Sequence, residues 1–215
     1  MSRLVVLLKR RPDLSVELFQ QQLPGACAGL GSNPQVRRCI LSLALPQGYA
    51  KAELLFDAIL DLWRNDGADT PGSAVIPRIA ALTDEGRTVV MPVDVHVAKD
   101  GPIPPRAVKN IEFVNRRPGM PLDAFRSYWR DVHGPLAARI PVIRRYEQYH
   151  LAMSEYQGAR NPAYDGLAVT WFASTADMRQ GTTTPEYAAT RADETNFLPD
   201  GHLPIIITRE RTVFG

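Results

Sequence analysis

The feature that most constrains the fold of this chain is a repeat with a period of about half its length. Residues 7–19 read LLKRRPDLSVELF and residues 113–125 read FVNRRPGMPLDAF, so Arg-Arg-Pro and the closing Phe align at an offset of 106 (113 minus 7). Three later pairs of segments keep this order: 34–39 with 141–146, 56–63 with 164–171, and 70–74 with 184–188. A period this long predicts a tandem domain duplication, because the units of solenoid proteins span about 20–50 residues.

The length and composition suit two ordinary globular domains. Each half of the 215-residue chain, at about 105 residues, is long enough to bury a core of its own. With 45% hydrophobic and 22% charged residues, the composition is that of a globular protein. We expect a degenerate repeat at residues 1–99, a proline-rich linker at 100–106, and a second repeat at 107–215 that carries the functional site.

The net charge and the cysteine content limit which binding partners and which cellular compartment are expected. The net charge of +2 gives no reason to propose a nucleic-acid partner, and the longest early apolar run, Leu4–Leu8, is too short to span a membrane. The two cysteines, Cys27 and Cys39, do not make a disulfide framework in a chain of this length. We therefore expect a cytoplasmic protein in a reducing compartment that binds neither nucleic acid nor membrane.

Hydrophobic periodicity predicts the same order of elements, β-α-β-β-α-β, in both halves. In the second half it predicts strands at 108–115, 143–151, 165–172 and 203–212, and helices at 122–133, 174–178 and 185–196. In the first half the elements fall at 4–8, 15–23, 36–45, 55–63, 75–83 and 88–97. This order is that of the ferredoxin-like unit, so the predicted fold class is α+β, with two tandem ferredoxin-like repeats packed face to face.

Several local sequence signals predict where these elements begin, bend or end. Pro24-Gly25 is predicted to interrupt the first helix, and Gly134-Pro135 to bend or interrupt its counterpart in the second half. Ser174 is a predicted N-cap. The repeated Arg-Arg pairs are interpreted as solvation of strand edges.

His133 is the strongest candidate for a catalytic group. It ends an apolar helical stripe that includes Phe125, Trp129 and Val132, and burial on such a stripe keeps an imidazole neutral and able to act as a base. Tyr128 is a candidate proton donor nearby. The alternative is a buried histidine whose ring is hydrogen-bonded to a carbonyl. Cys27 aligns with His133 (133 minus 106), so the first half keeps the fold and lacks the histidine.

Further candidates lie on the following strands and near the last helix. Tyr146 and His150 share one face of a strand and so project into the same space. Trp171 is expected to form a core or pocket wall. Asn196 and Phe197 lie between a helix and the last strand, where a side-chain amide is able to meet a ligand.

Common catalytic signatures are absent from the sequence. The glycines from Gly25 to Gly31 are not followed by the Gly-Lys-Ser/Thr of a phosphate-binding loop, and there is no Gly-x-Ser-x-Gly elbow. His133 and His150 do not have metal-ligand spacing, and no cysteine pair or carboxylate cluster completes a set. The spacing therefore predicts no metal site, and a ligand set formed by residues that only the fold brings together stays open.

The segment from Phe125 to Leu136, which reads Phe-x-x-Tyr-Trp-x-x-x-His-x-Pro-Leu, together with the preceding Arg-Arg-Pro-Gly turn, resembles the EthD family. The later 165–172 and 193–197 segments resemble it too. The resemblance covers 108–214 well and 3–97 faintly. It implies a dimeric α/β barrel, which a chain with two fused copies would form intramolecularly, with a further homodimer as an open possibility.

The resemblance also implies a function. The family points to small apolar or aromatic substrates, general acid–base chemistry at His133 and usually no organic cofactor, with haem as a lesser option known elsewhere in the superfamily. We expect an enzyme of the lyase type, such as a dehydratase, decarboxylase or cyclase, in catabolism or secondary metabolism. The alternatives are a cofactor-free monooxygenase of phenolic substrates and a non-catalytic accessory protein. The resemblance marks as site candidates His133, Tyr128, His150, Trp129, Tyr146, Trp171, Asn196 and Phe197.

Overall fold

A computed structural model describes residues 2–50, 52–65, 76–158 and 161–215. The chain divides into two compact units, one formed by Met1–Asp94 with Thr208–Gly215 and the other by Val95–Ile207. The repeated segment at 70–74 and the start of the helix predicted at 75–83 lie outside the described residues.

The first unit contains one antiparallel sheet covered by a helix. Its elements are β1 (Ser2–Leu8), α1 (Val16–Ala28), β2 (Val36–Ala44), β3 (Ala58–Arg64), α2 (Ile76–Ile79) and the first part of β4 (Val89–Lys99). β1 pairs with β3 and β4, and β2 pairs with β3 and with the end of β8 (Ile205–Phe214). The predicted order of elements is therefore present in this unit.

In helix α1, tertiary packing outweighs the helix-breaking effect of a proline. Pro24-Gly25 was expected to end it, and this prediction is wrong, since the helix continues to Ala28. Proline removes one backbone hydrogen bond and costs about 3 kcal/mol. Phe19, Leu23 and Cys27 follow one another at four-residue steps and are fully buried, so their packing on the sheet outweighs this loss.

The second unit repeats the order with additional helices. Its elements are β5 (Val108–Val114), α3 (Leu122–Tyr128), α4 (Gly134–Ala137), β6 (Arg145–Leu151), β7 (Gly166–Phe172), α5 (Thr175–Gly181), α6 (Pro185–Asp193) and the start of β8. β7 pairs antiparallel with β5 on one side and β6 on the other. The Ser174 hydroxyl accepts a hydrogen bond from the backbone N–H of Asp177, which confirms the predicted N-cap.

The helix around His133 is continuous, and its pitch changes. Between α3 and α4, residues Trp129–His133 form a single π-helical turn, so Gly134-Pro135 does not interrupt the helix. The buried stripe is confirmed at Phe125, Trp129 and His133, but Val132 is 47% exposed. The wide turn rotates Val132 away from the sheet, because a π turn contains an extra residue.

The repeated arginine of each unit binds a buried aspartate. In the first unit Asp57 accepts hydrogen bonds from the Arg10 backbone N–H (2.9 Å) and the Tyr49 hydroxyl (2.7 Å), and the ammonium group of Lys9 lies 3.1 Å away. Asp57 is fully buried. The Arg10 backbone therefore closes the turn after β1, a role beyond the strand-edge solvation predicted for the arginine pair.

The second unit contains the equivalent network. Asp165 accepts from the backbone N–H of Arg116 (2.8 Å), from the Arg116 guanidinium (2.5 Å) and from the Tyr156 hydroxyl (2.7 Å). A backbone N–H, a tyrosine hydroxyl and a side-chain cation thus surround equivalent aspartates in both units. A duplicated network of this kind supports the duplication inferred from the sequence.

Cys27 and Cys39 are both buried and free. Among residues 2–50, 52–65, 76–158 and 161–215, no helix combines the length and apolarity needed to cross a bilayer.

Candidate active site

A cavity of about 190 Å³ lies within the second unit. Its apolar wall includes Ala137, Ile140, Ile143, Tyr146, Ala168 and Phe172, and its polar wall includes Asn110, Glu112, His133, Thr170, Arg191 and Glu194. Of the residues proposed from the sequence, His133 and Tyr146 line this cavity. A mostly apolar pocket with a few converging polar groups is the usual form of a small-molecule site.

The strand register brings the polar groups of the sheet together. Asn110 of β5 lies opposite Thr170 of β7, which lies opposite Tyr146 of β6. Glu112, two residues after Asn110, lies opposite Ala168. Because side chains two apart on a strand share a face, these residues form a continuous floor.

His133 is held on the cavity wall by a carboxylate. Its Nδ1 lies 2.9 Å from Oδ2 of Asp193, at the end of α6, while its Nε2 has no hydrogen-bond partner among the described residues. Burial lowers the pKa of His133 below its ordinary value of 6.5, although the hydrogen bond to Asp193 acts in the opposite direction. Burial raises the pKa of Asp193, but hydrogen bonds from Tyr128 and His133 outweigh this effect and leave it lowered. Nδ1 is therefore the protonated nitrogen, and Nε2 carries the basic lone pair.

Tyr128 and Asn196 position Asp193 from outside the cavity wall. The Tyr128 hydroxyl donates to Oδ1 of Asp193 at 2.6 Å, and the Asn196 amide donates to the same oxygen at 3.1 Å and to the Tyr128 hydroxyl at 3.0 Å. The hydrogen bond to Asp193 raises the pKa of Tyr128. Tyr128 thus serves as a donor to Asp193, and neither it nor Asn196 lines the cavity.

Phe197 fixes the imidazole from behind. Its ring centroid lies 4.6 Å from that of His133, and it is 1% exposed. It also packs against Tyr128 and Phe125. Phe197 therefore supports the histidine and does not face the cavity.

The buried network of β6 orients Tyr146. Its hydroxyl oxygen accepts hydrogen bonds from Nε1 of Trp129 and from the Gln148 amide, both at 3.2 Å. With both lone pairs occupied, the hydroxyl proton of Tyr146 is left for a ligand, since no described residue accepts it. Burial raises the pKa of Tyr146, so the phenol stays protonated.

His150 takes part in the same network but lies outside the cavity. Its ring packs on Trp129 with centroids 4.4 Å apart, its Nε2 lies 3.3 Å from Oε1 of Gln148, and its Nδ1 has no partner in the described part of the chain. Burial lowers the pKa of His150 to about 3. His150 shares a strand face with Tyr146, as predicted. Of these two residues, only Tyr146 lines the cavity. Trp171 is also buried outside the cavity wall, with the Lys109 ammonium 4.9 Å from its ring centroid.

Asp193 and Glu112 were not identified from the sequence. Asp193 lies 60 residues from His133 along the chain, so no local pattern links them. Glu112 had a weak signal, because Asn110 and Glu112 alternate with apolar residues on β5 and so form a polar strand face. Such a face normally points to solvent, and here it points into the cavity.

No group of side chains among the described residues suits a metal ion, and this cavity is too small for a haem. No group of three or more histidine, cysteine, aspartate or glutamate side chains suited to a metal ion occurs among the described residues. The cavity of about 190 Å³ is smaller than the roughly 300–1,000 Å³ of pockets for drug-sized ligands, so a porphyrin does not fit it. The volume suits a molecule with a single aromatic ring.

One family model matches part of the second half of the chain. Residues 117–200, which include α3, the π turn and α6, match the EthD domain family. The resemblance drawn from the sequence is confirmed over this segment. No curated protein matches the chain.

Solved structures match the chain over almost its whole length. An anthrone oxidase-like protein matches 99% of this chain and 92% of its own, with a TM-score of 0.61 and 10% identity. A mutant chlorite dismutase from Candidatus Nitrospira defluvii (99% and 92% covered, TM-score 0.54, 9% identity) is similar as well. So is a candidate monooxygenase from Lactobacillus acidophilus NCFM (99% and 93% covered, TM-score 0.52, 10% identity). These likenesses concern the fold, and they confirm the predicted class, α+β with ferredoxin-like repeats in an antiparallel α/β barrel.

Proposed function

We propose that the cavity of the second unit is the active site of a cofactor-independent enzyme of the lyase type. In it His133 removes a proton next to a carbonyl or phenol group of a small apolar or aromatic substrate. The observation that carries this proposal is the pairing of Nδ1 of His133 with Asp193 at 2.9 Å, which leaves Nε2 unpaired on a cavity wall.

The Asp193 carboxylate has two effects on the reaction. Before proton transfer it fixes the Nδ1–H tautomer, so that Nε2 presents its lone pair. After transfer it stabilises the imidazolium, as the aspartate of a catalytic triad does. Burial keeps His133 neutral near pH 7, where a base is useful.

Tyr146 supplies a hydrogen-bond donor that complements the base, His133. Its hydroxyl proton is directed to a ligand, so it is placed to bind a carbonyl oxygen that gains negative charge as the proton leaves. A hydrogen bond that strengthens with this charge stabilises the transition state more than the bound substrate. The apolar wall around Ile140, Ile143 and Phe172 binds the ring of the substrate and excludes water.

Proton abstraction is measured directly by isotope exchange. In D₂O, we expect the wild-type protein to replace the protons beside the carbonyl of 4-phenylbutan-2-one by deuterium, which mass spectrometry detects. His133→Ala and His133→Gln lower this rate by about 10²–10⁴-fold, the usual contribution of a general base. Asp193→Asn lowers it as well, because the tautomer is no longer fixed.

The matched control is His96→Gln, a half-buried histidine of β4 that does not line the cavity. It retains the wild-type rate of exchange. Equal exchange by wild type and His133→Ala would disprove the assignment of His133 as the base.

A cofactor-free monooxygenase is the second candidate, because similar folds include an anthrone oxidase-like protein and a candidate monooxygenase. It predicts consumption of O₂, above the uncatalysed rate, with a single-ring phenol such as hydroquinone as the probe, whereas a lyase consumes none. A non-catalytic accessory protein predicts calorimetric binding of 4-phenylbutan-2-one that survives His133→Ala, without exchange. A cytoplasmic location and a homodimer stay predictions of the sequence.

A further inference from the structure

The wall of the cavity that carries Glu112 is acidic. Glu112 lies on β5, and the like charge of Glu194, at the end of α6, acts on it. Arg191 forms an ion pair with Glu194, and the Asn110 amide donates to Oε1 of Glu112 at 2.9 Å. The cavity therefore contains a carboxyl group that is separate from the His133–Asp193 pair.

The surroundings of Glu112 favour its neutral form. Burial and the charge of Glu194 raise the pKa of Glu112 to about 7, against the opposing effects of Asn110 and Arg191. Burial also raises the pKa of Glu194. With a pKa of about 7, Glu112 keeps its proton in a large fraction of molecules at neutral pH, because its charge would be buried near that of Glu194.

Asn110 provides an independent indication that a ligand binds here. It lines the cavity and is 8% exposed, and its Oδ1 has no hydrogen-bond partner among the described residues. A buried amide oxygen without a partner costs about 1–3 kcal/mol. A hydroxyl group in the cavity would satisfy it.

The end of α6 links the two walls. Asp193 and Glu194 are consecutive, and the first binds His133 while the second acts on Glu112. The end of α6 therefore acts on both the candidate base and the candidate acid that line this cavity. Pairs of titratable groups held in different protonation states are the usual arrangement for combined acid and base catalysis.

We propose that Glu112 is the general acid that protonates the leaving oxygen of the substrate while His133 removes the proton, and that the substrate class is a small, neutral β-hydroxy carbonyl compound that loses water. This inference rests on the proposed function, because it takes His133 as the base.

The reaction balances without any further reactant. Nε2 of His133 takes the proton from the carbon beside the carbonyl, and the electron pair of that C–H bond forms the new C=C bond. The C–O bond breaks, and its electron pair stays on the oxygen, which takes the Glu112 proton and leaves as water. The imidazolium then returns its proton to the Glu112 carboxylate through water, so the enzyme is unchanged.

Two probes separate the acid from the base. With 4-phenylbutan-2-one, which has no leaving group, only exchange beside the carbonyl occurs. With 4-hydroxy-4-phenylbutan-2-one, elimination gives a conjugated enone with a strong ultraviolet band. We expect Glu112→Gln to lower elimination by about 10²-fold or more while exchange stays within about threefold of wild type, since the base is intact. His133→Ala lowers both.

Glu186→Gln is the matched control, because Glu186 lies at the start of α6 outside the cavity wall. It leaves both reactions unchanged. Carboxyl ¹³C NMR adds a readout independent of turnover, with one glutamate signal that titrates near pH 7 in wild type and is missing in Glu112→Gln.

Each remaining outcome decides between the two proposals. Elimination by Glu112→Gln at the wild-type rate, or a joint fall of exchange and elimination, overturns the role of Glu112 as the acid. Wild-type exchange without elimination overturns the substrate class and leaves the base assigned. Absence of wild-type exchange overturns the proposed function itself.

Discussion

His133 and Cys27 occupy equivalent positions in the two repeats, and their surroundings give them different chemistry. Cys27 is 0% exposed in an apolar core cluster, and burial raises the pKa of its thiol to about 12. Such a thiol is not a nucleophile at neutral pH. His133 lies at a cavity wall with Asp193 as its partner. The first repeat thus uses this position for packing and the second for the candidate site.

The two proposed proton-transfer groups predict different pH profiles for the two probe reactions. Exchange needs neutral His133, so its rate rises with pH through a pKa below 6.5 and then levels off. Elimination also needs protonated Glu112, so it falls again above about pH 7. The polar and titratable groups that face these two side chains are Asn110, Tyr146, Tyr187, Arg191, Asp193 and Glu194.

Rates of both reactions measured from pH 4 to pH 9 check this prediction. In Glu112→Gln the residual elimination should lose its fall at high pH. An elimination rate that still rises above pH 8 in wild type would contradict the role of Glu112.

At the scale of the element, the π turn at Trp129–His133 depends on close packing against β6. A Cβ added to Gly134 would lie 2.8 Å from Nε2 of Gln148 and 3.2 Å from the Trp129 carbonyl oxygen. That amide also donates to the Trp129 carbonyl and the Tyr146 hydroxyl. Glycine is required here by the approach of the helix to the sheet and its hydrogen bonds.

Gly134→Ala is therefore expected to destabilise the protein by about 1–3 kcal/mol, the usual cost of overpacking. It should also lower exchange of 4-phenylbutan-2-one, because Gln148 no longer orients Tyr146. Urea unfolding measures the first effect and mass spectrometry the second.

Gly25→Ala is the matched control within the other long helix. Apart from the backbone of α1 and the two neighbouring residues, no atom of the described residues lies within 4 Å of the Cβ that would be added there. Alanine should therefore stabilise α1 by about 0.5–1 kcal/mol. A Gly134→Ala protein as stable as wild type would show that the contact with Gln148 relaxes without cost.

At the scale of the whole molecule, the repeated aspartates hold the turn after the first strand in each unit. The two networks differ in how far their cations are buried. The Lys9 side chain is 3% exposed beside Asp57, whereas the Arg116 side chain is 33% exposed beside Asp165. Water is therefore able to replace the carboxylate only in the second unit.

Asp57→Ala is expected to lower the free energy of unfolding by about 3–5 kcal/mol, the usual cost of breaking a buried ion pair. Lys9 then keeps only the half-exposed carboxylate of Glu53, 2.6 Å away, as its anionic partner. Asp165→Ala should cost less, about 1–3 kcal/mol. Urea unfolding of both variants compares them, with Asp13→Ala as a control in an exposed ion pair with Arg11 that should leave stability nearly unchanged. An Asp165→Ala protein less stable than Asp57→Ala would contradict this order.

Much of the fold was predictable because its signals are local or repeated. The alternation of β5 and β7, the Ser174 cap and the stripe through Phe125 and Trp129 depend on residues a few positions apart. The end of α1 was not predictable, since burial of Phe19, Leu23 and Cys27 outweighs the local effect of proline. Local signals fail where tertiary packing contributes more free energy.

The sequence by itself determined the duplication, the order of elements, and the presence of His133 in one repeat only. The tertiary structure alone decided that Asp193, 60 residues away, binds His133. It also decided that Glu112, on the polar face of β5, lines the same cavity as His133. The physical reason is that periodicity records which face of an element is buried, whereas hydrogen bonds and proton affinities depend on groups that only folding brings within a few ångströms.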